Sequence, residues 1–505
     1  MEIGAKEIEL IVREVLAGIE SRGVKPSYFP AQSENGVFER VEDAIAAAHA
    51  AQRQWAENYR VGDRRRIIEA IRLTAKSHAE TLAKMVWEET GMGRFEDKIQ
   101  KHMAVIEKTP GVECLTTDAI SGDEGLMIEE YAPFGVIGAI TPSTNPTETI
   151  INNTISMIAG GNSVVFNVHP GAKRCCAHCL KLLHQAIVEN GGPANLITMQ
   201  KEPDMEAVSK MTADPRIRLM VGTGGMPMVN ALLRSGKKTI GAGAGNPPVI
   251  VDDTADISLA AKEIYRGASF DNNILCLAEK EVFVMERAAD ELVNKLVTEG
   301  AYLLSSMELN EILKFAMVEK NGSYEVNKKW VGKDAARFLE EIGVSGHKDV
   351  RLLICETDRS HPFVMVEQLM PILPIVRLRT FEECVECAVA AESGNRHTAS
   401  MFSRNVENMT KFGKVIETTI FTKNGSTKRG GDRRRGPYDH DHCRPHRRGA
   451  YLREKLYQKT QMHAGRRRPA DHLEKGRYIW QSAFWSVQDT GQFFMPWIRP
   501  VRRQM

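Results

Sequence analysis

The sequence predicts an α/β protein built on parallel sheets, and three observations point there. From Tyr131, short β-rich runs alternate with helical ones: "FGVIGAI" precedes "PTETIINNTISMIAG", "SVVFNV" precedes "AKRCCAHCLKLLHQAIVENG", "NLITM" precedes "PDMEAVSKMTA", and "IRLMV" precedes "MPMVNALLRSG". A second alternating region, from about Lys238 to Glu417, holds "PPVIVDD", "AEKEVFVM", "VRLLICE" and "PILPIVRL". At 505 residues, 42% hydrophobic and 26% charged, the chain is long enough to bury more than one core.

The elements follow in order. Residues 5–20 read as a short amphipathic helix, with Ile8, Ile11, Val12, Val15, Leu16 and Ile19 at three- and four-residue steps. Such a helix is marginal alone, so it must dock on its own protein or on a partner. "SRGVKPSYFPAQSENG" has Pro, Gly and Ser without periodicity and reads as a linker over 21–36. Helical patterning resumes from about Val41 to Lys108. In the parallel-sheet region, ligands are expected beyond the carboxyl ends of the strands, which read "TPSTNP", "NVHPGAK" and "GTGG". No repeat of solenoid spacing occurs. No apolar run is long enough for a membrane span, and acids interrupt the first residues where a secretory signal would be apolar. Nine Cys in such a chain suggest reduced, cytoplasmic thiols.

Three stretches could carry chemistry. "VGTGG", Val221 to Gly225, is a Gly-rich strand-to-helix turn whose backbone N–H groups could face a pyrophosphate, although many such turns need only positive φ. Cys276 in "GASFDNNILCLAEK" precedes a β-rich run and is either a nucleophile or a buried thiol. Asn145, between Pro142 and Pro146 at a strand end, could donate to a developing oxyanion or merely form a turn. "CCAHC" and "CVEC" fall on helical patterns without a second matching pair, which favours small buried thiols over a metal site.

"TPSTNPTETIINN", "GNSVVFNVHPGAK", "GAGAGNPPVIVD", "GASFDNNILC" and "EQLMPILPIV", in this order and spacing, resemble the CoA-acylating aldehyde dehydrogenases of bacterial microcompartments, which act on propionaldehyde or acetaldehyde. The likeness runs from about residue 5 to Gly425. It implies an aldehyde dehydrogenase-like fold: a Rossmann-type parallel-sheet NAD-binding domain over 37–237, an α/β catalytic domain over 238–420, and an oligomerisation arm that includes 113–135. Cys276 would be the nucleophile. Asn145 and the Cys276 N–H would form the oxyanion hole, and a thioester would pass to coenzyme A. The resemblance places Asn167 and His169 at the adenosine end of NAD, Thr141, Pro142 and Thr223, Gly224 and Gly225 along the dinucleotide, and Glu367 near the nicotinamide ribose. Hydrolytic relatives carry a Glu, the base that activates water, in the stretch matching Thr239 to Ile250, and here that stretch has no acid. They usually carry Lys at the position of Asn167. Microcompartment members often read "HHTA" where this chain has "RHTA", Arg396 to Ala399. The helix at 5–20 resembles encapsulation peptides, implying a shell-protein partner and residence in a microcompartment lumen. A homodimer or tetramer is expected; no nucleic-acid or membrane partner is. Two alternatives stay open: a non-acylating aldehyde dehydrogenase, and a catalytically dead cargo protein on the same fold.

The tail departs from this pattern. Residues 426–505 carry 19 Lys/Arg against 7 Asp/Glu, and "DHDHCRPHRRGAY", Asp439 to Tyr451, crowds His, Cys and Arg together. The family pattern here is a glycine-rich loop and a "TTMTIAGPTGEG…TSARTF" run. Permitted codons for Tyr438 to His463, read one base later, give Met-Thr-Met-Thr-Ile followed by "AGPTGEGLTSARNFTRKRRC", and "DRRRG" gives "IGVGG". The expectation is a frameshift at or just after Gly425, a tail beyond about His463 translated past the natural stop, a damaged arm, and out-of-frame sequence that packs poorly or stays disordered. A genuine basic nucleic-acid module is the competing reading.

Overall fold

A computed structural model describes residues 33–123, 125–428 and 458–461. The expected helix at 5–20 and most of the tail lie outside the described residues. Strand β1, Val37–Phe38, is followed by helices α1 Val41–Asn58, α2 Val61–Ser77, α3 Ala79–Thr90 and α4 Phe95–Lys108. These fill the span read as helical. An exposed antiparallel hairpin, β2 Asp118–Gly122 with β3 Gly125–Ala132, occupies the expected arm. Then β4 Val136–Ile140, α5 Pro146–Ala159, β5 Ser163–Asn167, α6 Lys173–Glu189, β6 Ile197–Gln200, α7 Met205–Ala213, β7 Ile217–Thr223, α8 Met226–Arg234 and β8 Thr239–Ala242 alternate. They build one parallel sheet in the order β1-β6-β5-β4-β7-β8. The chain steps outward from β4 through β5 to β6, then returns to the other side of β4 for β7. The order therefore reverses between β4 and β7, and their carboxyl ends open a crevice. Every residue of β4 and β5 is buried, which is why "VIGAI" and "SVVFN" read as unbroken small and apolar runs.

The second sheet uses β9 Pro248–Val251, α9 Ile257–Ala268, β10 Glu281–Met285, α10 Glu286–Thr298, β11 Tyr302–Leu303, α11 Ser306–Ala316, the separate hairpin β12 Met317–Lys320 and β13 Ser323–Val326, α12 Ala335–Glu341, β14 Leu353–Glu356, α13 Pro362–Met365, β15 Ile372–Leu378, α14 Phe381–Glu392, β16 Thr398–Phe402, α15 Val406–Val415 and β17 Ile420–Lys423. Its order is β11-β14-β15-β10-β9-β16-β17, parallel throughout. A five-residue crossover, Gly243 to Pro247, joins the two sheets.

Several boundaries differ from the sequence reading. The linker expected to end at residue 36 is already docked at Ser33, whose hydroxyl donates to Asn195 Oδ1 at 3.2 Å, and at Glu34, paired with Lys181 at 2.6 Å. Strand β8, assigned to the catalytic domain by the 237/238 boundary, pairs with β7 and closes the first sheet. Only Gly243, Ala244, Gly245 and Asn246 separate its "TIGA" from "PPVIVDD", so the sequence marks no clear break between them. The second sheet runs past residue 420 through Lys423, and Ser426 and Thr427 are buried beyond it. The Thr427 N–H donates to Glu279 Oε1 at 2.7 Å. The packed body thus extends beyond Gly425. Within the tail, β18, Gln458–Gln461, pairs antiparallel with β3, so this piece is neither unpaired nor structureless as expected. Ladder hydrogen bonds come from the backbone, which a change of reading frame leaves intact.

Candidate active site

The carboxyl ends of the first sheet and the amino ends of the second meet at the crossover. A Cβ on Gly245 would stand 2.6 Å from the Cys276 carbonyl oxygen and 2.9 Å from the His397 ring. The crossover backbone therefore lies directly against the cysteine, and no side chain fits there. Cys276, Glu367 and His397 sit in the segments leading into β10, β15 and β16.

Cys276 is partly exposed in a turn after the short 3₁₀ stretch Phe270–Asn273. Asp271, Asn272 and Asn273 hold φ of 49, 54 and 60°. This left-handed conformation costs an L-residue roughly 1–2 kcal/mol, and short polar side chains tolerate it by bonding locally. Here they are bonded: Asp271 Oδ1 accepts the Arg94 N–H at 2.8 Å, Asn272 Nδ2 donates to the Gly332 carbonyl at 2.9 Å, and Asn273 Nδ2 donates to the Glu279 carbonyl at 3.0 Å. The fully buried Lys280 ammonium donates to the carbonyls of Asn273 at 2.7 Å and Leu275 at 2.9 Å. It fixes the backbone immediately before the cysteine. Burial and the Glu367 carboxylate push the Cys276 thiol up to about 11, while Lys280 and Lys101 pull it down.

Asn145 is the N-cap of α5, yet its side chain makes no cap. Its Oδ1 instead accepts from Lys101 Nζ at 2.7 Å, and its Nδ2 donates to Thr144 Oγ1 at 3.3 Å. Lys101 also reaches Asp271 Oδ2 at 2.5 Å and so ties the Asn145 loop to the cysteine loop. Both predicted catalytic residues thus belong to one constellation. Sequence reasoning missed Lys101, Lys280 and His397. Lys101 lies on a helix to which the sequence reading gave no role beyond its helical pattern. Its signal was faint: Asp97 and Lys101, Lys98 and His102 repeat at four-residue spacing on α4, and that charged face is the buried one. His397 is half-buried, and desolvation lowers its pKa below the usual imidazole value. Its Nδ1 lies 2.8 Å from Thr398 Oγ1.

The residues expected to hold a dinucleotide separate into two sets. Thr141 and the buried Pro142 follow β4, and Asn167 ends the neighbouring β5. Thr141 Oγ1 and Asn167 Oδ1 are buried and without hydrogen-bond partners, as is Glu367 Oε1. Orphaned polar atoms at adjacent strand ends beside the topological crevice fit a polar ligand that satisfies them. Thr223, Gly224 and Gly225 end β7 on the other side of the crevice, but the Gly224 N–H is spent on the Ala242 carbonyl at 3.1 Å, and Pro227 has no N–H. This turn offers fewer free donors than its glycines suggested. His169 is exposed and commits Nδ1 to the Gly171 N–H at 3.1 Å. The thiols read as structural are so placed: Cys175, Cys176 and Cys179 are fully buried on α6, and Cys384 and Cys387 are buried on α14.

A family model described as the aldehyde dehydrogenase family matches residues 31–434. The chain belongs to the aldehyde dehydrogenase family. Among relatives of this dehydrogenase, the acetylating acetaldehyde dehydrogenase EutE of Escherichia coli is 43% identical over 423 residues, covering 83% of this chain and 89% of the relative. A crystal structure of Rhodopseudomonas palustris propionaldehyde dehydrogenase, with bound CoA and an acylated cysteine, superposes with a TM-score of 0.78 at 41% identity, covering 85% of this chain and 98% of that one. A propionaldehyde dehydrogenase from the Clostridium phytofermentans fucose utilisation bacterial microcompartment gives a TM-score of 0.78 at 41% identity, with the same coverage of 85% and 98%. Among the described residues, no helix is long and apolar enough to cross a membrane.

Proposed function

We propose that this chain is a CoA-acylating aldehyde dehydrogenase for short-chain aldehydes, with Cys276 as nucleophile and Asn145 as oxyanion donor. The observation that carries the acyl-transfer reading is Gly245. The crossover position that abuts Cys276 has no room for a Cβ, so no general base for water can project from it. The thiolate of Cys276 adds to the aldehyde carbonyl, and the Asn145 amide with the Cys276 N–H stabilises the resulting alkoxide. Bound NAD would supply the hydride acceptor, held by Thr141 and Asn167 at the strand ends and by Glu367 at the opposite wall. Collapse of the alkoxide leaves a thioester on Cys276. His397, kept neutral by burial, is the base able to take the proton of an incoming CoA thiol.

One observation favours the non-acylating alternative: Glu367 has a free buried oxygen and senses the thiol charge. NADH formation from propionaldehyde with and without CoA decides between them. CoA-dependent turnover is the expected result, and equal turnover without CoA assigns Glu367 to water activation. Residence in a microcompartment lumen, with the segment 5–20 bound to a shell protein, belongs to the same proposal. It is supported by that segment's resemblance to encapsulation peptides and by the microcompartment relative. Deleting residues 1–20 should abolish co-purification with shells and leave the catalytic sheets intact. A homo-oligomeric state is supported by the projecting β2–β3 hairpin.

A further inference from the structure

We infer that Lys101 is a positioning residue that sets which end of the Asn145 amide faces the substrate and locks that amide to the cysteine loop. The inference rests on the acyl-transfer reading above for what Asn145 does. An amide can turn either its oxygen or its NH2 towards a neighbour, and an ammonium can only donate. Lys101 therefore admits only Oδ1, leaving Nδ2 as the amide's donor end, with one proton directed to Thr144 Oγ1 at 3.3 Å and a second to give. Its ammonium donates to Asn145 Oδ1 (2.7 Å) and to the Thr144 carbonyl (3.4 Å), and it forms ion pairs with Asp271 Oδ2 (2.5 Å) and Glu148 Oε1 (3.4 Å).

Two further observations separate this from an ordinary buried ion pair. Asn145 occupies an N-cap, where Asn normally bonds the first-turn N–H groups, and its side chain makes no such bond. Asp271 stands five positions before Cys276 with φ of 49°, held by Lys101, by the Arg94 N–H at 2.8 Å, and through its own N–H by Asp97 Oδ2 at 2.9 Å. One ammonium thus joins the oxyanion donor on the first sheet to the nucleophile loop of the second.

The test compares two reactions of Cys276 that need neither NAD nor CoA. With p-nitrophenyl acetate the sulfur adds to the carbonyl, an oxyanion forms, and p-nitrophenolate leaves as the thioester is made. With iodoacetamide the sulfur displaces iodide and no oxyanion forms. The ratio of the two rates therefore reports the oxyanion donor with thiol ionisation divided out. In the full chain, Lys101→Met is expected to lower this ratio at least tenfold, in the range of losing one donor. Lys101→Arg should recover part of it. Adding Lys101→Met to Asn145→Ala should lower it no further. If the thermal melt shows that Lys101→Met does not fold, Lys101→Met with Asp271→Asn removes opposite charges together and carries the same expectation. A folded variant with the ratio unchanged within twofold, or additive losses in the double variant, overturns the inference. Absence of CoA-dependent turnover, with the ratio behaving as stated, overturns the acyl-transfer reading instead.

Discussion

At the scale of single residues, the site is governed by how burial and charge treat one thiol. Because the Cys276 thiol is pushed up to about 11, alkylation by iodoacetamide should climb close to tenfold per pH unit from 7 to 10. Glu367→Gln removes the charge that opposes the thiolate, so the thiol pKa should fall. Alkylation at pH 8 should then quicken while NAD-dependent turnover drops; a slower alkylation would show that Glu367 does not act on the thiol. Gly245→Ala tests the close approach. Its Cβ would meet backbone oxygen, which cannot swing aside, so a loss of about 1–3 kcal/mol in stability and a fall in acylation rate of tenfold or more are expected. Unchanged melting and burst kinetics would mean the crossover yields freely. Cys276 and Asn145 were legible in the sequence through the motifs around them. The missing acid was legible only as a property of the stretch Thr239 to Ile250, and the contact of Gly245 with the cysteine carbonyl exists only after folding.

At the scale of elements, sequence periodicity succeeded where burial is apolar and failed where it is ionic. Strands β4 to β7, β9, β10, β14 and β15 and the helices from 41 to 108 follow from hydrophobic patterning, whereas β1, β11, β16 and β17 were not singled out. Helix α4 was assigned correctly as a helix, but its buried face is Asp97, Lys98, Lys101 and His102, which no apolar stripe reveals. Strand β8 was misplaced because a four-residue edge strand of Thr, Ile, Gly and Ala has little pattern of its own. The ionic face has a measurable consequence through Glu148 on α5. Burial acts to raise its pKa, but Lys101, His102 and Lys98 together hold it down at about 2, against an ordinary 4.5. A depressed carboxylate stabilises the fold above its unfolded value and loses that contribution as pH falls through its folded one. The window is therefore about pH 4.5 to 2, and the contribution is on the order of 3 kcal/mol. Glu148→Gln should be less stable than the parent at pH 7, and the gap should close as pH drops through this window. Urea midpoints at pH 7, 4 and 3 measure it; a gap that widens on acidification would contradict the assignment.

At the scale of the whole molecule, the tail and the arm decide what this chain can assemble into. The hairpin exposes Leu126 (54%) and Ile128 (41%) on one face and Ile120 (59%) on the other. Apolar side chains on both faces of a two-stranded ribbon need a cover. Strand β18 shields one edge of β3 over Glu129 to Ala132, while among the described strands none pairs with the outer edge of β2. An open edge beside exposed apolar residues favours association without a fixed register. We propose that the coding frame breaks after Thr427, because Ser426 and Thr427 are still buried in the packed body, as side chains selected for that place would be. Sequencing the DNA across these codons tests that directly: a frame with no missing or extra base would sink it. Expression of the chain as written beside a frame-restored version tests the consequence. The restored chain should form a discrete oligomer by light scattering, with higher CoA-dependent turnover. The chain as written should scatter as a broad, time-dependent distribution with weak activity. Equal mass distributions and equal turnover would show that β18 alone closes the arm, and that the sequence beyond it adds nothing to assembly.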